Sequence, residues 1–270
     1  KKKKIPIVVI LFSWDNLFSN DVNLNGDHYF VGSNKMREIL HKRHKISLSK
    51  IFIFCSFQFL YLLKKTKVKK KKNYILYSCS IEEDSTLANE EIEIINHIGK
   101  FLIDNNLDLK VYVRPYPFFE KKINLKDKFK YPNIYVKNYG KIHIRRIVKN
   151  KTMFMRYEKN LDNKIKLLRE AVCHINLLST IGVESLLLKT NTIFLNLEKK
   201  FNLFKFTYYF KSNFFKSKFL DHFKIFEKQN LFIKDYDILN ATLLKIIKEK
   251  KYIITSKNFI FFKSFYINQK

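Results

Sequence analysis

Two short apolar runs, residues 172–177 and 192–195, are separated by little more than a Ser-Thr turn and one helix-length stretch. This spacing restricts the fold more than any other feature of the chain. Runs of β-branched, apolar and aromatic residues with no charge fit strands buried on both faces, the kind found in parallel sheets covered by helices. Parallel neighbours need a crossover long enough to hold a helix, and residues 181–188 supply one. Ser179 and Thr180 stand where the N-cap of that helix is expected. A helix starting just past a strand's carboxyl end turns free backbone N–H groups toward the crevice where open α/β sheets bind ligands, and those groups favour anions. Glu184, one turn in, has two readings: an acceptor for ribose hydroxyls in that crevice, or an acid that complements the helix dipole.

The alternation extends upstream. Residues 74–78 read as a strand, and 85–105 as a helix with Leu87, Ile94, Ile95, Ile98, Phe101 and Leu102 on one face and acids in its first turns. A strand follows at 109–113 and ends at Arg114, another is expected at 134–137, and a helix at 161–171. Strands alternating with helices imply a parallel sheet with right-handed crossovers, a Rossmann-like domain. Nearer the start, an apolar strand at 7–12 runs into Ser13-Trp14-Asp15-Asn16-Leu17, and a helical pattern covers 36–44. Residues 201–226 interleave aromatic and basic side chains without a period. They read either as packing on the core or as a single-strand-binding surface. Residues 236–248 form a closing helix, with Leu239, Leu243, Ile246 and Ile247 at helical spacing.

Between the two regions lies Lys64-Lys65-Thr66-Lys67-Val68-Lys69-Lys70-Lys71-Lys72. The run reads as a solvated linker between domains, or as a contact for an anionic membrane surface at about 1 kcal/mol per charge. The stretch before it, 51–63, is apolar and uncharged but contains Ser56 and Gln58. It is shorter than the roughly 20 residues that cross a bilayer. No signal peptide is spelled at the start.

The formal net charge of +29 invites a nucleic-acid reading, yet only seven of the 53 basic residues are arginine. Nucleic-acid readers rely on the bidentate guanidinium, so this balance counts against nucleic acid as the partner. Lysine, asparagine, isoleucine and phenylalanine are abundant while there are 5 glycines and 4 prolines, the bias that AT-rich codons produce. Cys55, Cys79 and Cys173 show no CxxC spacing and read as reduced core residues. The 7 histidines lack ligand spacing, so no metal site is expected, and His174 within a buried-type strand reads as a core histidine.

Taken in order, SWDNL, Asp27-x-x-x-Val31-Gly32-Ser33, Met36-x-Glu38-x-Leu40, Ser56-Phe57-Gln58-Phe59, Arg114-Pro115-x-Pro117 and Ser179-Thr180-x-x-x-Glu184 form a recognisable series. Over roughly residues 7–200 the chain resembles bacterial surface-polysaccharide biosynthesis proteins of the GT-B glycosyltransferase superfamily, near the CDP-glycerol glycerophosphotransferases and the nucleotide-sugar 2-epimerases. It departs from them at Tyr116, where a histidine is common, and at Cys55, where a glycine usually precedes the serine.

The resemblance implies an α/β, GT-B-like architecture: a Rossmann-like parallel-sheet C-terminal domain and the remnant of an N-terminal Rossmann-like domain. On this expectation residues 1–63 are the last part of the N-terminal, acceptor-side domain, whose earlier strands would precede Lys1. Residues 64–73 are a basic linker, 74–250 bind the nucleotide donor, and 251–270 return toward the first domain. The implied activity moves a sugar or polyol phosphate from a nucleotide-activated donor to a polysaccharide or lipid-linked acceptor, with no cofactor beyond the donor itself. Arg114, Ser179 and Thr180 would meet phosphate and Glu184 the ribose, Asp15 would be the catalytic base, and Trp14 and Asn16 would lie on the acceptor side. The implied setting is cytoplasmic, peripheral at the inner face of the membrane if the lysine run binds lipid. Two other functions stay open at this point: a nucleotide-sugar 2-epimerase and a basic nucleic-acid-binding protein.

Overall fold

A computed structural model describes residues 5–11, 25–54, 57–64, 71–79, 86–115, 128–137, 145–147, 152–154, 158–177, 179–195, 197 and 232–249. Trp14, Asp15 and Asn16, most of the lysine run, residues 201–226 and residues 251–270 lie outside them. The described residues up to 64 belong to one compact unit and those from 71 onward to another.

The first unit is built on three parallel strands in the order β1 (Val8–Ile10), β2 (His28–Val31), β3 (Ile51–Ile53). Between β2 and β3 runs α1 (Asn34–His44). Ser33 caps it through its hydroxyl, which accepts from the Met36 N–H at 3.3 Å, a contact of the kind that stabilises by about 1 kcal/mol. Its last turn carries His41, Lys42, Arg43 and His44, cations that complement the negative end of the helix. The chain leaves α1 through Lys45 in the left-handed conformation, φ 59°. After β3 comes α2 (Phe57–Lys64). The apolar stretch 51–63 therefore contains a strand and then a helix.

The second unit holds a six-stranded sheet: β4 (Tyr74–Ser78), β5 (Lys110–Arg114), β6 (Ile134–Val136), β9 (Cys173–Asn176), β10 (Thr192–Leu195) and β11 (Phe232–Ile233). All neighbours are parallel, in the order β11-β10-β9-β4-β5-β6. Numbered within the unit, this is the order 3-2-1-4-5-6 read from the β6 edge, the doubly wound arrangement in which the chain goes outward from one strand, returns to its other side and goes outward again. The reversal falls between β4 and β9. A short antiparallel pair, β7 (Arg145–Ile147) and β8 (Thr152–Phe154), lies between the two halves in sequence.

Among the described residues four helices belong to this unit: α3 (Thr86–Asp104), α4 (Glu158–Glu170), α5 (Thr180–Leu187) and α6 (Tyr236–Lys248). One face of the sheet is the apolar core, where Ile75, Tyr77, Val111, Val113, Ile175 and Ile193 meet α3 and α6. The period-3.6 face expected from the sequence holds at Ile94, Ile95, Ile98, Phe101 and Leu102, all buried. Gly99 lets α3 approach β6, since a Cβ there would come within 2.7 Å of Ile134. The acids of α3 begin in its second turn, with Glu90 and Glu91. Glu91 lies deeper, where it accepts from the Tyr77 hydroxyl at 3.2 Å.

The opposite face carries α4 and α5. The Tyr74 hydroxyl donates to the Leu167 carbonyl of α4 at 2.8 Å. Gly182 of α5 lies so close to the sheet that a Cβ would collide with the Phe194 ring and come within 2.7 Å of Asn176 Nδ2. The last two lysines of the basic run are bound to the end of α4. Lys71 Nζ donates to the Arg169 carbonyl at 2.8 Å, and Lys72 pairs with the Glu170 carboxylate at 2.8 Å. Burial lowers the Lys71 ammonium to a pKa of about 8, with the Arg169 charge adding to the fall. Among the described residues no helix is long and apolar enough to cross a membrane.

Candidate functional site

Parallel strands in register place equivalent residues side by side on one face, and here that row ends in polar side chains. Ser78 closes β4 and pairs with Arg114 of β5 on one side and Asn176 of β9 on the other. All three therefore sit at the carboxyl edge of the sheet on the α5 side, across the point where strand order reverses. That edge is where open α/β sheets bind ligands. Adjacent strands are about 4.8 Å apart, so the row from Arg114 to Asn176 is about 10 Å long.

Ser78, His174 and Asn176 are completely buried, and each is a polar break in an otherwise apolar strand. His174 Nε2 shares a hydrogen bond with Ser78 Oγ at 2.9 Å. Burial, followed by the nearby Arg114 charge, pushes the imidazole down to a pKa of about 3. It is neutral at physiological pH, holds Ser78 in place, and is unsuited to carry a proton back and forth near neutrality. The core reading of this histidine is the one its surroundings support.

Ser179 occupies the N-cap position of α5 in extended conformation, but its hydroxyl does not cap the helix. Instead both its backbone N–H, at 3.0 Å, and its Oγ, at 3.2 Å, donate to Asn176 Oδ1. This differs from an ordinary N-cap: the Ser179 carbonyl accepts from the Gly182 N–H at 2.9 Å, but its hydroxyl takes none of the first N–H groups of α5, and the positive end of the helix dipole stays aimed at the carboxyl edge. The Thr180 backbone opens the helix at that point. Gly182 permits the close approach, because its neighbour Asn176 leaves no room for a side chain.

Glu184 comes one turn later and is 3% exposed. Both carboxylate oxygens lie near Lys164 Nζ of α4, at 2.9 and 2.8 Å. The residue thus joins α5 to α4 through a buried charge pair, a partner the sequence did not suggest. Arg114, Ser179, Thr180 and Glu184 are brought into one unit around one edge of one sheet. Trp14, Asp15 and Asn16 are outside the described residues. Among those residues there is no group of histidine, cysteine or acid side chains arranged to hold a metal ion.

No protein-family model matches the chain, and no curated protein sequence matches it. Several solved structures are similar to it at low scores. The wall teichoic acid polymerase TagF superposes with a TM-score of 0.48 at 13% identity, over 90% of this chain and 53% of that one. A UDP-GlcNAc 2-epimerase from Methanocaldococcus jannaschii gives 0.43 at 13% identity, over 86% and 57%. The accessory secretory proteins 1, 2 and 3 of Streptococcus pneumoniae give 0.38 at 14%, over 71% and 36%. The chain spans about half the length of the polymerase. The described residues themselves form α/β units with parallel sheets. Identities and scores of this size transfer no activity.

Ser78, Asn176, Lys164 and Gly182 were not singled out by the sequence reading. For Ser78 and Asn176 a signal was present: each is the polar last residue of a strand whose other positions are buried. Lys164 is one lysine in a lysine-rich chain, and only the fold sets it opposite Glu184.

Proposed function

We propose that the chain is a transferase that moves a sugar or a polyol phosphate from a nucleotide-activated donor to a surface-polysaccharide or teichoic-acid-type acceptor, with the donor bound at the carboxyl edge between β4 and β9. The observation that carries this reading is the start of α5, where the Ser179 side chain bonds Asn176 instead of capping the helix. It stands at the switch point of a doubly wound sheet, in line with a row that ends at Arg114.

In the transfer, an acceptor hydroxyl attacks the donor's anomeric carbon or phosphorus. The bond to the nucleotide phosphate breaks, and its electron pair leaves on the departing phosphate oxygen. The negative charge that builds there is met at the Ser179-Thr180 turn, where Asn176 holds the Ser179 N–H and the Thr180 N–H opens the helix, and by the Arg114 guanidinium, all fixed before the reaction begins. Glu184, held by Lys164, lies on the ribose side. Asp15 takes the proton of the acceptor hydroxyl, with Trp14 and Asn16 beside the acceptor. This acceptor-side assignment rests on the sequence resemblance alone. The donor is the only small molecule required, and a cytoplasmic position near the inner face of the membrane belongs to the same reading.

The test is thermal unfolding of the whole chain with CDP, UDP, GDP or a DNA duplex, run beside Arg114→Gln and Glu184→Gln. A ligand at about 100 times its Kd adds about 2.7 kcal/mol of stability, a rise of several degrees in the midpoint. One nucleotide should give that rise in the native chain, and it should be much reduced in both variants. Absence of any nucleotide effect, together with a salt-sensitive shift from the duplex, overturns the transferase reading in favour of nucleic-acid binding. Incorporation of solvent deuterium into a nucleotide sugar without transfer turns it toward epimerisation.

A further inference from the structure

On the α4 side of the six-stranded sheet, away from the first turn of α5, lies a cavity of about 600 Å³. Its size is in the range of ligand pockets, but its lining is unlike the largely apolar lining of most. Four lysines face it, Lys72, Lys110, Lys137 and Lys166, against two acids, Asp108 and Glu170. Glu170 is already paired with Lys72. The balance leaves an excess of positive charge along one face of the sheet, which favours anions.

The floor of the cavity is aromatic. Tyr74 of β4 and Tyr112 of β5 stack at 4.5 Å with 23° between their planes. From the other flank of β5, Lys137 places its ammonium 4.3 Å from the centre of the Tyr112 ring. Tyr135 of β6 meets Tyr112 edge-on, and Lys110 lies 5.5 Å from the Tyr135 ring. Two lysines are thereby held in place by ring faces instead of sweeping freely through solvent. Less conformational entropy is lost when such a cation meets an anion. The same contacts take up the Tyr112 ring between a second ring and a cation, which leaves it poorly placed to stack on a nucleobase.

The groove also has a direction. Lys72 and Lys110 mark its end at the amino edge of the sheet, while Lys137 follows β6 and bonds the Val113 carbonyl through its N–H, next to Arg114. From Lys110 to Arg114 the strand rises about 13 Å. A flexible polyanion lying in the groove would pass from the far edge of the sheet toward the row that ends at the donor site.

We propose that this groove binds a linear phosphodiester chain of polyol units, a polymer rich in phosphate and free of aromatic bases, through Lys110, Lys137 and Lys166. The identity of that chain as the growing product rests on the transfer reading above. The binding itself is measured without donor or turnover, so either idea can fail while the other stands.

The experiment is equilibrium binding of a labelled poly(glycerol phosphate) to the whole chain, compared with an oligothymidylate of equal phosphate number. The native chain is set beside Lys110→Gln with Lys137→Gln, and beside a control, Lys245→Gln with Lys248→Gln, which removes the same charge from exposed positions of α6. The groove variant should weaken polyol-phosphate binding at least tenfold and lower the salt slope by about 1.4, for two lost contacts at about 0.7 each. The control should change it less than twofold, and Lys110→Arg with Lys137→Arg should keep most of the affinity. If the groove variant fails to fold, Lys110→Gln with Lys166→Gln, both at exposed positions, takes its place. Equal losses in groove and control variants would mean general surface charge and overturn the proposal. Tighter binding of the oligothymidylate, lost in the groove variant, would also overturn it and make the groove a nucleic-acid site.

Discussion

Acidification should weaken the second unit through one residue, His174. In the folded chain its imidazole has a pKa of about 3, pushed down from 6.5 by burial and then by Arg114. A histidine lowered on folding takes up its proton first in the unfolded chain. Its contribution is therefore fully present above pH 6.5 and is lost as pH falls toward the folded value. Between pH 7 and pH 5 the unfolded form gains most of a proton while the folded form gains almost none. Linkage then gives a loss of about 2 kcal/mol. The figure depends on the unfolded value, and any folded pKa below about 4 gives nearly the same result. Urea unfolding of the native chain and of His174→Gln at both pH values measures it, because the other histidines and the acids titrate alike in the two proteins and cancel in the difference. The native chain should lose about 2 kcal/mol more than the variant. Parallel pH curves would refute the reasoning, as would a His174 ring resonance that titrates near pH 6.5.

Lys71 gives the same sign in an alkaline window. Its ammonium is lowered from 10.5 to about 8, so the unfolded chain holds the proton longer and stability should rise with pH across that window. Lys71→Met should flatten the rise, read from urea midpoints at pH 8 and 10, and an unchanged slope would contradict it. Lys164→Met would leave the Glu184 carboxylate buried without this partner and should cost about 3–5 kcal/mol, most of it recovered in the double variant with Glu184→Leu. A loss below about 1 kcal/mol in the single variant would show that the pair is not effectively desolvated. Gly182→Ala would drive a methyl into Phe194 and Asn176. It should lower stability by about 1–3 kcal/mol and weaken the nucleotide-induced rise in midpoint, while an unaltered midpoint would argue against the close approach of α5 to the sheet.

The elements legible in the sequence are those whose burial imposes a simple pattern. β4 and β10 coincide with the apolar runs at 74–78 and 192–195, because strands covered on both faces tolerate few polar side chains. Helices α3 and α6 follow their period-3.6 faces for the same reason. The misses have different causes. β2 is only four residues with mixed burial, and nothing in His28-Tyr29-Phe30-Val31 marks an edge. β3 and α2 share one uncharged stretch in which no glycine, proline or charge marks where the strand ends and the helix begins. β11 is two residues long, too short to carry any period. At the site, the Ser179-Thr180 turn was visible because a capping residue between strand and helix is a local signal. The Ser78 to His174 contact joins residues 96 positions apart, and its meaning comes from strand register, which no local pattern encodes.

The lysines illustrate the same division between composition and place. Read as composition, the excess of positive charge is a uniform coat, and the run at 64–72 is its densest part. In the fold, the final two members of that run serve α4: Lys71 donates to the Arg169 carbonyl, and Lys72 pairs with Glu170 while its backbone N–H bonds the Glu170 carbonyl. They satisfy the negative end of a helix whose exposed carbonyls would otherwise need water. Lys164 neutralises a buried acid, and Lys110 and Lys137 lie over tyrosine rings. These five side chains differ in the salt dependence they should show. The buried Lys164–Glu184 pair is shielded from screening ions, whereas the groove cations are open to them. Salt should therefore weaken the proposed polyanion binding in the groove long before it loosens the α4–α5 connection beside the carboxyl edge, and the two roles of the charge can be separated by ionic strength alone.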